Sequence, residues 1–195
     1  MVTLIESIEI NSPLDVLYGW LIKLDENFVK WSPCHTYFKK ATGRFAVGDK
    51  ICFGERVEGV SYRITGVIRQ HEKSEDGFRL VFETMSGLSH IYFIGGKTEN
   101  GCSFTHIEEF GKPNTRKGRF INHLLFDILA KRRANWRLIQ DDMARDNLHL
   151  KRILETGTYP DRATHGGKKK QTKRLPAEAR RETFNDFGSN TNFKR

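Results

Sequence analysis

The sequence lacks the features that mark membrane-spanning, secreted and disulfide-linked proteins. It has no apolar run near the ~18 residues that a membrane helix needs. The N-terminal segment MVTLIESIEI has neither a basic start nor a small-residue cleavage site, so we expect a strand there and no signal peptide. The three cysteines are widely spaced and form no CxxC pair, which is typical of neither a disulfide framework nor a thiolate zinc site. We therefore expect a cytoplasmic, reducing environment.

Acidic residues are also scarce relative to basic ones, mainly at one end of the chain. The formal net charge is +9, and residues 161–195 alone hold ten Lys/Arg against four Asp/Glu. That end is poor in apolar residues and rich in Gly, Lys, Arg and Asn, so it cannot bury enough surface to offset chain entropy. We predict a folded domain over residues 1–158 and a disordered basic tail over residues 159–195.

A strand and then a helix are predicted at the start of the chain. LIESIEI has the composition of a strand, and INSPLDVLYGWLIKLDENFVKW carries helix-start signals. Ser12 is placed to be the N-cap, and Pro13 suits the first helical position. The buried face of this helix is predicted from four leucines spaced three or four residues apart: Leu14, Leu17, Leu21 and Leu24.

Short alternating segments follow, and a long helix closes the domain. KICFGERV, VSYRITGVI, FRLVFET and SHIYFIGGKTENGCSFTHIEEF alternate apolar and polar residues, with short links such as Glu58–Gly59. This pattern indicates an antiparallel meander. Residues 117–154 then favour a long helix, with or without a break, that ends near Gly157. We predict an α+β fold in which a curved antiparallel sheet wraps around the last helix and leaves a cavity.

This order of elements, headed by IEINSPLDVLYGWLIKLDENFVKW, resembles the START-like helix-grip superfamily, also called SRPBCC or polyketide cyclase-like. The resemblance covers roughly residues 2–155. It implies a helix-grip fold with an internal cavity for a small hydrophobic ligand. It does not imply one chemistry, because many functions share that cavity.

Glu55 is the most informative candidate residue. It alternates in phase with Ile51, Phe53 and Val57, so it should point towards the cavity with them. A buried carboxylate is costly unless a cation, a hydrogen-bond donor, a metal or a proton compensates it. The alternative is an ion pair with an arginine, or a carboxylate at the strand edge that reaches water.

Asp142 and Asp146 form a second candidate pair. They lie one turn apart on the closing helix and therefore share a face. Like charges at this spacing repel unless a cation or proton sits between them. The alternative is a solvated helix face, since Arg145 is adjacent.

Two histidines are candidates for the cavity as well. His35 follows a Trp-Ser-Pro turn, where it could hydrogen-bond a carbonyl, act as a ligand or serve as a general base. His106 is in phase with Phe104 and Glu108, so it could also face the cavity. A Cys34–His35 catalytic pair is disfavoured, because adjacent residues of an extended segment point to opposite sides.

WSPCH, ERVEG and the acidic helix running into NLHLKRILE look like the diacetylphloroglucinol hydrolase branch of the superfamily. That resemblance implies a metal, usually zinc, held by a His, a Glu and a His/Glu pair on the last helix. His35 and Glu55 match the first two ligands, and Asp142 and Asp146 occupy the helical pair. One His with three carboxylates is richer in oxygen than zinc usually prefers, which leaves three alternatives open: zinc held weakly, a harder divalent ion, or no metal.

The hydrolase resemblance implies that a metal would polarise a carbonyl of the ligand or activate a water, while a spare carboxylate moves the proton. Six residues are predicted to line the ligand, with plain core packing as the alternative for each: Trp31, Tyr37, Phe53, Tyr62, Phe82 and His106.

Three functional hypotheses remain open at this point. The first is a cavity enzyme, such as a metal-dependent hydrolase of an aromatic or polyketide-like compound. The second is a non-catalytic carrier of an apolar ligand. The third is an interaction protein whose basic tail binds nucleic acid or an anionic surface through charge, although such tails are commonly just solvated.

Overall fold

The structure, a computed structural model, describes residues 1–57, 60–112, 115–124 and 136–162. The predicted Glu58–Gly59 turn and nearly all of the basic tail lie outside the described residues, so the predicted division at residues 158 and 159 and the role of the tail stay predictions.

A seven-stranded antiparallel sheet and four helices make up the described fold, which confirms the predicted α+β class. The strands are β1 (Val2–Ile10), β2 (His35–Lys40), β3 (Lys50–Val57), β4 (Val60–Lys73), β5 (Gly77–Thr84), β6 (Ser89–Thr98) and β7 (Gly101–Phe110). The helices are α1 (Leu14–Leu21), α2 (Leu24–Trp31), α3 (Arg116–Asn122) and α4 (Trp136–Thr156). The strand order is β1-β7-β6-β5-β4-β3-β2, so β2 to β7 form the predicted meander and β1 pairs with its last strand.

The N-terminal helical segment is two helices and not the single helix that the sequence pattern predicted. The chain turns at residues 22–23, and the Asn27 amide donates to the Trp20 carbonyl over 2.9 Å, satisfying a group that the interruption frees. The predicted Ser12 cap is also wrong, because Pro13 is the N-cap residue and α1 has no side-chain cap. All four predicted leucines are buried, so the core face was predicted correctly.

The core fills the concave side of the sheet and is mainly aromatic. Alternate residues of the strands point inward, as at Phe78, Leu80 and Phe82 of β5, all at most 5% exposed. The large buried rings from α2 and the sheet are Phe28, Trp31, Phe38, Phe53, Phe78, Phe82, Phe93 and Phe104. α4 lies over one side of this core and buries Met143, Asn147, Leu150 and Ile153.

Hydrogen bonds on both flanks fix the position of α4. On the β1 side, the Asn147 amide donates to the Glu6 carbonyl over 3.2 Å. On the α2 side, the Trp31 indole donates to the Asp146 carbonyl over 2.7 Å. α4 ends at Gly157, whose positive φ of 69° suits glycine, as predicted. In the described ranges, no helix has both the length and the apolar content to cross a bilayer.

Gly95 of β6 gives a test of this packing. A Cβ on Gly95 would overlap the buried ring of Phe78, whereas a Cβ on Gly19 of α1 would meet nothing within 4 Å. We expect Gly95→Ala to lower the free energy of unfolding by about 2 kcal/mol through overpacking. Gly19→Ala, the matched control, should raise it by up to about 1 kcal/mol through helix propensity. Urea unfolding measures both; equal effects of the two substitutions would contradict the packing described.

Candidate functional site

Three side chains line up across β2, β3 and β4 at one end of the concave face. His35 is opposite Glu55 in the β2–β3 ladder, and Glu55 is opposite Tyr62 in the β3–β4 ladder. Directly opposed residues of antiparallel strands point to the same face. Because Ile51 and Phe53 of β3 are buried, Glu55 points inward, as its alternation predicted.

His35 is the anchor of this site. Its side chain is buried and stacks on Phe28 with ring centroids 3.8 Å apart, and Nδ1 lies 2.9 Å from the Phe28 carbonyl. Nε2 lies 3.2 Å from Asp146 Oδ2 and 3.8 Å from Glu55 Oε1. A guanidinium nitrogen of Arg162 donates to the His35 carbonyl over 2.7 Å, which holds the start of β2 in place.

The protonation of His35 and Asp146 follows from their contact. Burial alone would lower the pKa of His35, but the hydrogen bond and charge of Asp146 and the charge of Glu55 outweigh it, so the pKa is raised. Burial alone would raise the pKa of Asp146, but bonding to His35 and Ser32 lowers it. These two shifts favour an imidazolium paired with a carboxylate; in that state Nδ1–H donates to the Phe28 carbonyl and Nε2–H donates to Asp146.

Glu55 behaves differently, because its surroundings disfavour its charge. Burial raises the pKa of Glu55 to about 7, with Glu108 and Asp146 adding to the rise and His35 opposing it. The side chain nevertheless keeps 29% of its exposure. We use the name recess for this half-buried part of the concave face, bordered by His35, Glu55 and Asp146. Its proton occupancy changes near neutral pH, as suits a group that accepts and returns protons.

More ionisable side chains approach the same recess from β7 and from α4. His106 and Glu108 lie on β7, with His106 Nε2 3.3 Å from Glu108 Oε1. His149 of α4 lies one turn after Asp146, with Nδ1 3.9 Å from Asp146 Oδ1. Glu108 and His106 both act on the pKa of Glu55. Because three strands, β6, β5 and β4, lie between β7 and β3 in the sheet, this influence crosses the concave face.

The structure brings together three of the four predicted metal ligands. His35, Glu55 and Asp146 converge, whereas Asp142 pairs with Arg145 at 3.0 Å. In the described part of the chain, no three His, Cys, Asp or Glu side chains are arranged to hold a metal ion. As they stand, His35 spends both ring nitrogens on hydrogen bonds, which does not fit a ligand role, and we derive no step through a metal. The metal site stays a prediction.

Cys34 is also close to the acidic group but is unsuited to nucleophilic chemistry. Burial raises the pKa of its thiol, and Asp146, Asp142 and Glu55 raise it further, against a smaller lowering by Arg145. A reactive cysteine needs the opposite shift.

The predicted ligand-lining residues lie in three places: the core, the recess and, for Tyr37, the outer face of the sheet. Trp31, Phe53 and Phe82 are at most 6% exposed and form the floor of the core. Tyr62 and His106 point into the recess, although His106 is only 7% exposed.

Tyr37 lies on the outer face instead of the predicted inner one. A β-bulge between His35 and Tyr37 shifts the alternation, so Phe38 points inward and the Tyr37 hydroxyl meets Cys52 Sγ at 3.7 Å.

Ser32 and His149 are site residues that the sequence analysis missed. Ser32 hydrogen-bonds Asp146, and His149 approaches the same carboxylate. The spacing of Asp146 and His149, three residues on one helix, was the available signal. No sequence pattern indicated Ser32, because its contact depends on how α4 packs against the end of α2.

Comparison with known proteins supports the fold. No family model and no curated protein matches the chain. A polyketide cyclase-like protein from Corynebacterium glutamicum matches 78% of this chain and 90% of its own, with a TM-score of 0.50 and 17% identity. The fold is the helix grip. Aha1 from Colwellia psychrerythraea matches 81% of this chain and 99% of its own, with a TM-score of 0.53 and 17% identity.

The di-domain ARO/CYC protein StfQ of the steffimycin biosynthetic pathway covers 80% of this chain, with a TM-score of 0.56 and 11% identity. The match takes in 51% of the StfQ chain. The predicted START-like, polyketide cyclase-like architecture is therefore confirmed, while identities this low establish the fold alone.

The pKa of Glu55 gives a test based on stability. The folded state keeps the proton between pH 4.5 and about pH 7, whereas the unfolded state releases it. Wild-type stability should therefore fall as pH rises through this window. Glu55→Gln carries no charge at this position, so ionisation there cannot destabilise it. The difference in free energy of unfolding, variant minus wild type, should therefore increase by about 2 kcal/mol from about pH 5 to about pH 8, after a discount for residual exposure.

Urea unfolding at the two pH values measures this gain. Glu9→Gln, an exposed carboxylate on the outer face of β1, is the control. A Glu55→Gln difference that does not change with pH would contradict the assignment of Glu55 to a desolvating recess.

Proposed function

We propose that the protein binds a small hydrophobic ligand, aromatic or polyketide-like, in the recess between the concave sheet and α4. The observation that carries this proposal is the convergence of His35, Asp146 and Glu55 beside an aromatic floor. In this proposal, the ligand's apolar body packs on the aromatic surroundings, and a hydroxyl or carbonyl group meets the ionisable cluster.

The energetics of the cluster support a binding role. Charged groups in a protein interior cost several kcal/mol unless they are paired. His35 and Asp146 compensate one another, whereas the ion-pair contact of Glu55 among the described residues is the longer one of 3.8 Å to His35. Apolar pockets with a few well-placed polar groups are the usual form of small-molecule sites. A ligand hydroxyl that donates to Glu55 would satisfy this carboxylate.

The proposed chemistry at the cluster is proton transfer. A general base is most effective when its pKa lies near the working pH, which the pKa of Glu55 near 7 satisfies. Glu55 would accept a proton from the ligand, while the His35 imidazolium, held by Phe28 and Asp146, stabilises the resulting negative charge nearby. If the ligand has no reactive bond, the same contacts would bind it without a reaction, as in the non-catalytic carrier of the second hypothesis.

A metal-dependent hydrolase is the second candidate function. It is supported by the resemblance of WSPCH and ERVEG to the hydrolase branch and by the convergence of three of the four predicted ligands. The Asp142–Arg145 pair and the two hydrogen bonds of His35 stand against it.

Ligand binding can be tested with 2-naphthol, a neutral aromatic probe with one hydroxyl. We expect saturable 1:1 binding by titration calorimetry. His35→Gln and Glu55→Gln should each weaken it by roughly fivefold, the value of one lost hydrogen bond. His90→Gln is the matched control, since His90 lies on the outer face beside Glu83. No saturable binding, or equal affinity in all variants, would contradict the proposal.

The metal hypothesis has its own measurement. Elemental analysis of protein purified without added metal should show about one equivalent of a divalent ion if the hydrolase resemblance extends to its cofactor. His35→Ala and Glu55→Gln should both lose that ion. Metal that persists in both variants would count against these ligands, whatever the outcome of the naphthol titration.

A further inference from the structure

His106 is a buried side chain whose hydrogen-bonding capacity the fold does not use. Its side chain is 9% exposed and packs edge-on against Phe93, with ring centroids 4.9 Å apart. Neither ring nitrogen makes a hydrogen bond to the residues that the structure describes, and the approach of Nε2 to Glu108 at 3.3 Å lacks hydrogen-bond geometry. An imidazole always has at least one N–H donor. Burying that donor without a hydrogen bond costs free energy, and a hydrogen-bonding partner would remove this cost.

Asn147 adds a second unsatisfied atom above the same part of the sheet. Its amide nitrogen donates to Glu6, the residue directly opposite His106 in the β1–β7 ladder. Within the described part of the chain, its Oδ1 has no hydrogen-bond partner, although the residue is only 2% exposed. Most buried polar atoms in proteins are paired, so two orphans in one place call for an explanation.

The position of His106 connects it with the recess. Both His106 and Glu55 point to the concave face, and the charge of His106 lowers the pKa of Glu55 and of Asp146. Two histidine–carboxylate pairs, His35–Asp146 at 3.2 Å and His106–Glu108 at 3.3 Å, therefore lie on the concave side of the sheet, near enough for the charge of His106 to act on Asp146.

We infer that His106, with Glu108, forms a second polar subsite that hydrogen-bonds a second polar group of the ligand. This inference rests on the proposed function and narrows its ligand class. The ligand carries two oxygen groups, one for the His35–Glu55–Asp146 cluster and one for His106. A ligand hydroxyl fits this subsite because it can both donate to and accept from an imidazole.

A matched series of probes tests the inference. The affinities of 1-naphthol and 2-naphthol are compared with those of 1,3-, 1,5- and 2,6-dihydroxynaphthalene by calorimetry, because different isomers place the second hydroxyl at different distances. We expect at least one diol to bind roughly fivefold tighter than its parent naphthol. His106→Phe should remove that gain, so that in this variant the diol binds no tighter than its parent naphthol.

His71→Phe is the matched control, because His71 already hydrogen-bonds Tyr18 and the Phe45 carbonyl, at 2.7 Å each. It should lower stability through lost hydrogen bonds while keeping the diol gain. His106→Phe should be at least as stable as wild type, since it removes an unsatisfied group from the interior. His106→Gln, which restores a donor and an acceptor, should recover part of the gain.

The two proposals fail in distinguishable ways. Naphthol binding with no gain for any diol, or a diol gain that survives in His106→Phe, would overturn the second subsite and leave the proposed function standing. Naphthol binding with no gain for any diol would mean that ordered water alone hydrogen-bonds His106. If no naphthol or diol binds, the proposed function is overturned and the subsite with it.

Discussion

The ion pair between His35 and Asp146 is the contact on which the geometry of the site depends. It joins the first residue of β2 to the middle of α4, elements that lie more than a hundred residues apart in the chain. Phe28 supports it from below through both its ring and its carbonyl. Because a buried charge without its partner is strongly unfavourable, each of these groups holds the others in one arrangement.

The same pair sets the electrostatics of the recess. With His35 positive and Asp146 negative, the pair carries little net charge, and Glu55 faces a second carboxylate, Glu108, across the concave face. A protonated Glu55 relieves this repulsion at low pH, and ionisation restores it near neutrality. The aromatic floor prevents water from screening these charges fully, so the shift is larger than a surface carboxylate would show.

Alternation and spacing predicted the fold and part of the site, and they failed where a local irregularity intervened. Glu55 was predictable because β3 is regular up to that residue. Tyr37 was not, because a single bulge in β2 reverses the side to which it points. Asp142 and Asp146 looked equivalent by spacing. They differ because the rotation of α4 is set partly by buried Asn147, a polar residue that a hydrophobic pattern does not register.

The unused hydrogen-bonding capacity on the β7 side distinguishes the two walls of the recess. On the β2 side both nitrogens of His35 have protein partners. On the β7 side, His106 and Asn147 have buried polar atoms without a partner among the described residues. A fold optimised for stability alone would place apolar residues at such positions, since an isosteric apolar group avoids the cost of an orphaned donor. Polar side chains that do not stabilise the fold support the proposal that a ligand binds at the recess.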